Sequence, residues 1–358
     1  MIKFNELFGY DKKNKEMKPK EFTYMIPWVD KYRPTKLSDV IYQDDLVKML
    51  TTVLTNGNMP HMLFYGPPGS GKTSSILAIS MELFGPKKFK ERVIELNASD
   101  ERGINIVRNK LVTLAKTAVS EKDPKYLCPP YKLIILDEAD AMTNEAQSAL
   151  RKIMEDHSSI TRFCFICNYI NQIIDPITSR CVKIRFKSIH ENTMTEKLTA
   201  IASNENMKIN KEALTEISSV SNGDMRKAIM LLQNLNYLNK QIDINDVYEM
   251  SSMMPMDKLK NIINISINNI KNTAEIKLLT NEFIVNGYPL NIILTQLTEL
   301  IVKDPNINDK MKAVICLHIA NTERRLIDGA DEYLQLLSIF MCIKTTILKM
   351  DSVYNSDN

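Results

Sequence analysis

Gly66-Pro67-Pro68-Gly69-Ser70-Gly71-Lys72-Thr73 and, further along, Leu133-Ile134-Ile135-Leu136-Asp137-Glu138-Ala139-Asp140 are the two stretches that decide the fold. The first is a complete phosphate-binding loop. Its glycines let backbone N–H groups close around phosphates, and it opens into a helix whose N-terminus favours anions. The second is a buried apolar strand ending in carboxylates. Lys72 is expected to reach the β- and γ-phosphates, with Thr73 and Asp137 holding Mg²⁺. Glu138, one residue on, is the natural group to polarise an attacking water. The pair specifies an ATP site.

Short apolar runs alternate with helical patterns through this part of the chain: Met62–Tyr65, Val93–Leu96, Leu133–Leu136, Phe163–Cys167 and Val182–Phe186. Runs this short with helices between them predict an α/β core whose parallel five-stranded sheet is covered on both faces. After Thr143, apolar residues at 146, 149, 150, 153 and 154 form a stripe that packs a helix onto that sheet. Strand signals stop near residue 189. Residues 193–240 read as three or four helices, with Gly223 as a stop and Asp224 as an N-cap. Residues 241–358 read as helical, punctuated at Gly287-Tyr288-Pro289, Asp304-Pro305 and Gly329. The resulting division is an extension over 1–24, a core over 25–188, a lid over 189–240 and a helical domain over 241–358.

With 358 residues, 44% hydrophobic and 25% charged, the chain has the composition of a globular protein of two to three domains. Its net charge of +3 confines any nucleic-acid surface to a local patch. No apolar run approaches the roughly 18 residues of a membrane span. The lysine-rich N-terminus lacks the apolar stretch of a secretory signal, so a reducing compartment is expected. Cys164 and Cys167 have half of a zinc-site spacing, but no second pair or nearby histidine completes it, and their apolar context favours core cysteines.

The letters Asp-Glu-Ala-Asp invite a DEAD-box helicase. That family needs a Ser-Ala-Thr motif and a second RecA-like domain, which the sequence lacks. Instead, the apolar strand Phe163–Cys167 ends on Asn168, the sensor-1 arrangement of AAA+ ATPases. Ser179-Arg180-Cys181 and Gly223-Asp224-Met225-Arg226 follow. With Trp28-Val29-Asp30-Lys31-Tyr32-Arg33-Pro34 before the loop and Glu95-Leu96-Asn97-Ala98-Ser99-Asp100 after it, the ordered set resembles the small subunits of replication factor C, the sliding-clamp loader. The resemblance is dense from 26 to 240; beyond that it rests on length and helical character. Phe64-Tyr65-Gly66-Pro67-Pro68, Phe84-Gly85-Pro86, Cys128-Pro129-Pro130 and Cys167-Asn168-Tyr169 resemble the eukaryotic small subunit usually placed third in the ring. Ser70 stands where threonine is usual, a position expected to contribute mainly its backbone, and Arg151-Lys152 where two arginines are usual.

The resemblance implies an AAA+ P-loop NTPase core, a helical lid and an all-α collar that joins subunits into a hetero-pentamer. It implies that Tyr32, Arg33, Pro34 and Val40 line the adenine and ribose beside Gly66, Pro67, Pro68, Gly69, Ser70, Gly71, Lys72 and Thr73. Glu138, Asn168 and Arg226 would serve this subunit's own ATP, and Arg180 would reach into the neighbour's as a finger in trans. It further implies as partners the other replication factor C subunits, a sliding clamp and primer–template DNA bound without regard to sequence. Four basic residues and no acid lie between Arg102 and Lys116. Arg102 and Arg108 there read either as a solvated face or as contacts to DNA phosphates; Leu114–Val119 is a weaker candidate for touching the clamp. Lys183, Arg185 and Lys187 read as a charged sheet edge. A sister loader sharing this subunit and a branch-migration helicase are the competing readings, the latter calling for β-structure after residue 241. Action in a nucleus, or in a viral replication compartment in the cytoplasm, is expected.

Overall fold

The computed structural model describes residues 26–39, 49–52, 55, 57–98, 124–255, 257–260, 273–305 and 307–354. Val40, Arg102, Arg108 and the segment 114–119 lie outside them.

Five strands, β1 (Met62–Tyr65), β2 (Val93–Asn97), β3 (Lys132–Asp137), β4 (Thr161–Cys167) and β5 (Val182–Arg185), form one parallel sheet in the order β2-β3-β4-β1-β5. Alternate side chains of a strand point to opposite faces, and the core divides accordingly. Met62, Phe64, Leu133, Ile135, Cys164 and Ile184 face one way, with Ile76, Ile79 and Leu83 of helix α2 (Lys72–Arg92). Leu63, Ile134, Leu136, Phe163, Phe165 and Cys167 face the other, with Ala146, Leu150, Ile153 and Met154 of helix α3 (Asn144–Asp156). The stretches Leu133–Leu136 of β3 and Phe163–Cys167 of β4 are therefore continuously apolar, as a sheet covered on both sides requires. Cys164 and Cys167 are core residues on opposite faces, and no metal-binding cluster occurs among the described residues.

The short helix α1 (Trp28–Lys31) precedes the core, and α4 (Asp175–Thr178) links β4 to β5. Strand β5 is an edge, with Lys183 and Arg185 exposed and Ile184 buried between them. Helices α5 (Glu191–Asn204), α6 (Lys211–Val220), α7 (Met225–Asn236) and α8 (Ile244–Ser251) share one apolar cluster running from Ile189 to Val247. Asp224 caps α7 as its sequence position predicts, accepting from the backbone N–H groups of Arg226 (2.9 Å) and Lys227 (3.1 Å). A last cluster, from Met254 to Ile343, joins α9 (Thr273–Val285), α10 (Leu290–Lys303), α11 (Asp309–Ile327) and α12 (Glu332–Tyr354). From residue 244 onward every described element is helical. That is the opposite of what the helicase reading requires. No described helix is long and apolar enough to cross a membrane.

His61 holds the start of β1 to β4, its Nδ1 accepting the Phe163 N–H at 3.1 Å. That role needs a neutral ring. Burial, with Arg162 adding repulsion, depresses its pKa from 6.5 to about 4. An unfolded chain therefore binds the proton more readily between those values, and folding stability falls as pH drops through that window. His61→Asn keeps a carbonyl acceptor and removes the titration. Urea denaturation at about pH 7 and about pH 5 should show a smaller loss on acidification for the variant than for the wild type; equal losses would acquit His61.

Candidate functional site

All five strands run the same way, so their C-terminal ends share one edge. The loop Gly66–Gly71 leaves β1 at that edge. Gly66 has φ 146° and lies so close to β5 that a Cβ there would sit 2.1 Å from the Phe186 carbonyl oxygen. The Ser70 hydroxyl donates to the Pro67 carbonyl at 2.7 Å. Position 70 thus adds a side-chain bond within the loop to whatever its backbone contributes. Lys72, the first residue of α2, is only 8% exposed. Its Nζ donates to the carbonyls of Gly66 and Pro67 (both 2.8 Å) and to Asn168 Oδ1 (2.9 Å). Burial lowers its pKa, Arg226 adds to that, and Asp137 and Asp140 oppose it. A desolvated ammonium inside a ring of backbone dipoles is suited to a multiply charged phosphate chain.

β4 lies between β1 and β3, so Asn168 comes to rest between the loop and the carboxylates. Thr73 Oγ1 donates to Asp137 Oδ2 at 2.7 Å. Asp137 Oδ1 accepts the Glu138 N–H at 2.9 Å. Glu138 itself has φ 53°, a left-handed conformation uncommon outside glycine and frequent at functional sites. Its carboxylate is exposed at the mouth of the cavity. Asp140 Oδ2 accepts from the N–H groups of Asn168 (3.0 Å) and Tyr169 (3.1 Å), anchoring the asparagine from below. The acidic motif is present in the sequence, but this acceptor role for its last residue is visible only once the strands are ordered.

The opposite wall comes from the two ends of this region. Tyr32, Arg33 and Pro34 line the same cavity as Lys72, Thr73, Asp137, Glu138 and Asn168, together with Arg226 of α7. Val29, Ile189, Met225 and Ile229 add an apolar patch that the sequence reading missed. Trp28 is buried in the lid cluster, and its backbone N–H donates to Gln233 Oε1 at 3.0 Å. Glu205, just past α5, accepts from Lys31 Nζ and from the Tyr32 hydroxyl, each at 2.6 Å. Those two bonds, Lys31 first, hold the Glu205 carboxyl below its usual range. Burial, and then the Glu205 bond and charge, push the Tyr32 phenol up to about 12. The N-terminal segment is therefore a strap, since Leu37 N–H also donates to Glu82 Oε1 of α2 at 2.7 Å. At the other end, α7 begins against the loop, with Met225 N–H donating to the Gly69 carbonyl at 3.3 Å.

Arg180 is not with this group. It is absent from the cavity lining, and its Nη1 donates to the Pro176 carbonyl at 2.9 Å while Nη2 pairs with Glu155 at 2.5 Å. The segment from Asn168 to Arg180 is held to α3 by Gln147. This buried amide donates to the carbonyls of Met142 (3.3 Å) and Gln172 (2.9 Å) and accepts from Ile174 N–H (2.9 Å). Sequence reasoning passed over Gln147 too. A glutamine on the buried stripe of α3 was the available signal.

Comparison with known proteins agrees with this architecture. The family "ATPase family associated with various cellular activities (AAA)" matches residues 62–189. "RCF1/5-like, AAA+ ATPase lid domain" matches 196–235, and "Replication factor C C-terminal domain" matches 254–342. Replication factor C subunit 2 of Oryza sativa is 46% identical over 87% of this chain and 92% of its own length. Replication factor C subunit 4 of Homo sapiens is 42% identical, covering 92% and 90%. A putative replication factor C small subunit (L510) of Acanthamoeba polyphaga mimivirus is 42% identical, covering 87% and 95%. Among solved structures, the Thermotoga maritima RuvB Holliday junction branch migration motor is 18% identical over 66% of this chain and 80% of that one, with a TM-score of 0.48. The chain is an AAA+ ATPase and belongs to the replication factor C small-subunit family.

Proposed function

We propose that this ATPase is one subunit of a hetero-pentameric loader that opens a sliding clamp and places it on primer–template DNA. One observation carries the reading. A cavity holding Lys72, Thr73, Asp137, Glu138, Asn168 and Arg226 is joined by a single short segment to Arg180, which stands outside it. A site complete on one side and an exported arginine on the other suit a ring in which each subunit serves its own ATP and its neighbour's.

In this reading the loop N–H groups and Lys72 hold the β- and γ-phosphates, exchanging the carbonyl and Asn168 partners of the ammonium for phosphate oxygens. Thr73 and Asp137 present adjacent hard oxygens, a donor set that fits Mg²⁺. The ion would supply charge neutralisation on the phosphate oxygens. Glu138 accepts the proton of the water that attacks the γ-phosphorus, with Asn168 fixing that water's position. The bond from the γ-phosphorus to its bridging oxygen breaks, releasing ADP and phosphate. Arg226 meets the γ-phosphate from the lid, and Arg180 meets the neighbour's. Arg102 and Arg108, outside the described residues, would contact DNA phosphates independently of sequence.

Glu138→Gln should leave ATP binding nearly intact and remove the base, whereas Lys72→Ala should weaken binding itself. Both are read by nucleotide titration and single-turnover hydrolysis in a complex whose other sites are inactive; normal turnover by the Gln variant would remove Glu138 from the role.

Gly69→Ala tests the contact between loop and lid. Gly69 has φ 65°, and a Cβ there would lie 1.7 Å from Asp224 Oδ1. A left-handed alanine costs about 1–2 kcal/mol, and the lid helix must also retreat, so ATP affinity should fall about tenfold or more. Unchanged affinity in equilibrium titration would show that the lid contact does not bear on binding.

Arg180→Ala tests the exported arginine and the loader reading together. In a complex reconstituted with its partner subunits, and with only the neighbour's site competent, turnover should fall on the order of 10²-fold or more. Clamp loading on primer–template DNA should fall with it. A defect confined to this subunit's own site would overturn the trans assignment.

A further inference from the structure

Arg180 leaves the end of α4 with its guanidinium tied twice to its own chain. Nη1 donates to the Pro176 carbonyl at 2.9 Å, and Nη2 meets Glu155 Oε1 at 2.5 Å. Glu155 sits in the last turn of α3, and the same Oε1 accepts from Arg151 Nε at 3.2 Å. The three side chains are half exposed, at 38%, 41% and 47% for Arg180, Glu155 and Arg151.

A guanidinium has five N–H donors in one plane. Nη1 spends one hydrogen on the Pro176 carbonyl and Nη2 is held in an ion pair with Glu155, so the group is anchored at both Nη atoms while donors remain for a phosphate. An unrestrained arginine would have to lose its rotamer freedom on meeting a phosphate; here much of that freedom is already gone. The second arginine matters as well. Glu155 alone would set a negative charge beside an incoming phosphate, but with Arg151 on the same oxygen the trio carries net positive charge. An exposed pair of this kind adds little to folding stability. Its value is geometric.

We propose that Glu155 is a positioning residue for the neighbour's ATP site: it presets the Arg180 guanidinium, with Arg151 cancelling its charge. This rests on reading Arg180 as a finger in trans, so the test must separate the two. In the full complex with only the neighbour's site competent, wild type is compared with Glu155→Gln, Arg180→Ala and the double variant, assembly being checked by size-exclusion chromatography. Glu155→Gln should lower kcat at that site about five- to tenfold, with little change in KM for ATP. In the Arg180→Ala background the same substitution should cost nothing further, an epistasis that a merely structural role would not produce. An unchanged or raised kcat for Glu155→Gln, with Arg180→Ala still inactive, overturns the positioning role and leaves the finger standing. A further loss in the double variant also overturns it. If Arg180→Ala itself has no effect at the neighbour's site, the finger reading fails and takes this inference with it.

Discussion

The insertion of β4 between β1 and β3 is the constraint on which the site depends. In a parallel sheet every strand must return to its starting edge through a crossover, so all C-terminal ends meet on one side. Ligands of open α/β sheets bind at that edge, where strand order departs from chain order. Here that arrangement sets Asn168 beside Lys72 and puts Asp137 one strand further along, opposite Thr73. β5, on the other side of β1, brings Phe186 against Gly66 and closes the loop from behind. Had β3 paired directly with β1, Asn168 would stand outside the cluster. The bond from Lys72 to Asn168 is a consequence of sheet order.

The second wall of the site depends on apolar packing. Trp28 lies in the same cluster as Leu198, Ile217 and Leu232 of the lid, so the strap and the lid bury one core between them. Lys31 and Tyr32 then converge on Glu205, and Tyr32, Arg33 and Pro34 are carried to the cavity rim. The lid's other end meets the loop where Gly69 leaves no room for a Cβ beside Asp224. Lid position and cavity shape are therefore set by the same contacts. A lid displaced from the strap would open the apolar patch of Val29, Met225 and Ile229 to water.

What could be read from the chain and what could not divide along the range of the interaction. The phosphate loop and the acidic strand are contiguous, and their chemistry is local, so their residues were legible by type and spacing. Asp224 was legible for the same reason, because an N-cap acts within its own first turn. The apolar runs announced five strands, and they fall where expected. Their order did not show, because pairing is settled by burial on both faces at once. The role of Asp140, an acceptor for two N–H groups beyond the next strand, follows from that order and was hidden with it. The Ser70 bond was not legible either, since a hydroxyl in a glycine-rich loop gives no hint that it will close on Pro67. Glu155 was invisible as a partner of Arg180, being a charged residue on the exposed face of a helix. Val40, Arg102 and Arg108 belong to stretches outside the described residues.

Gln147 links the two halves of the functional reading in a way that composition never suggests. Its amide is buried, and both ends are satisfied by backbone: Met142 and Gln172 carbonyls on one, Ile174 N–H on the other. Met142 follows the acidic motif, while Gln172 and Ile174 lie between Asn168 and Arg180. A buried polar group left without its partner costs about 1–3 kcal/mol. Separating the two loops would orphan groups on both, so they are held as one body against α3. The same helix carries Glu155 at its far end. The backbone that presents Asn168 to this subunit's cavity and the backbone that exports Arg180 thus cannot be positioned independently. Any change in the loop after Asp137 must be accommodated by α3 or passed along to the arginine.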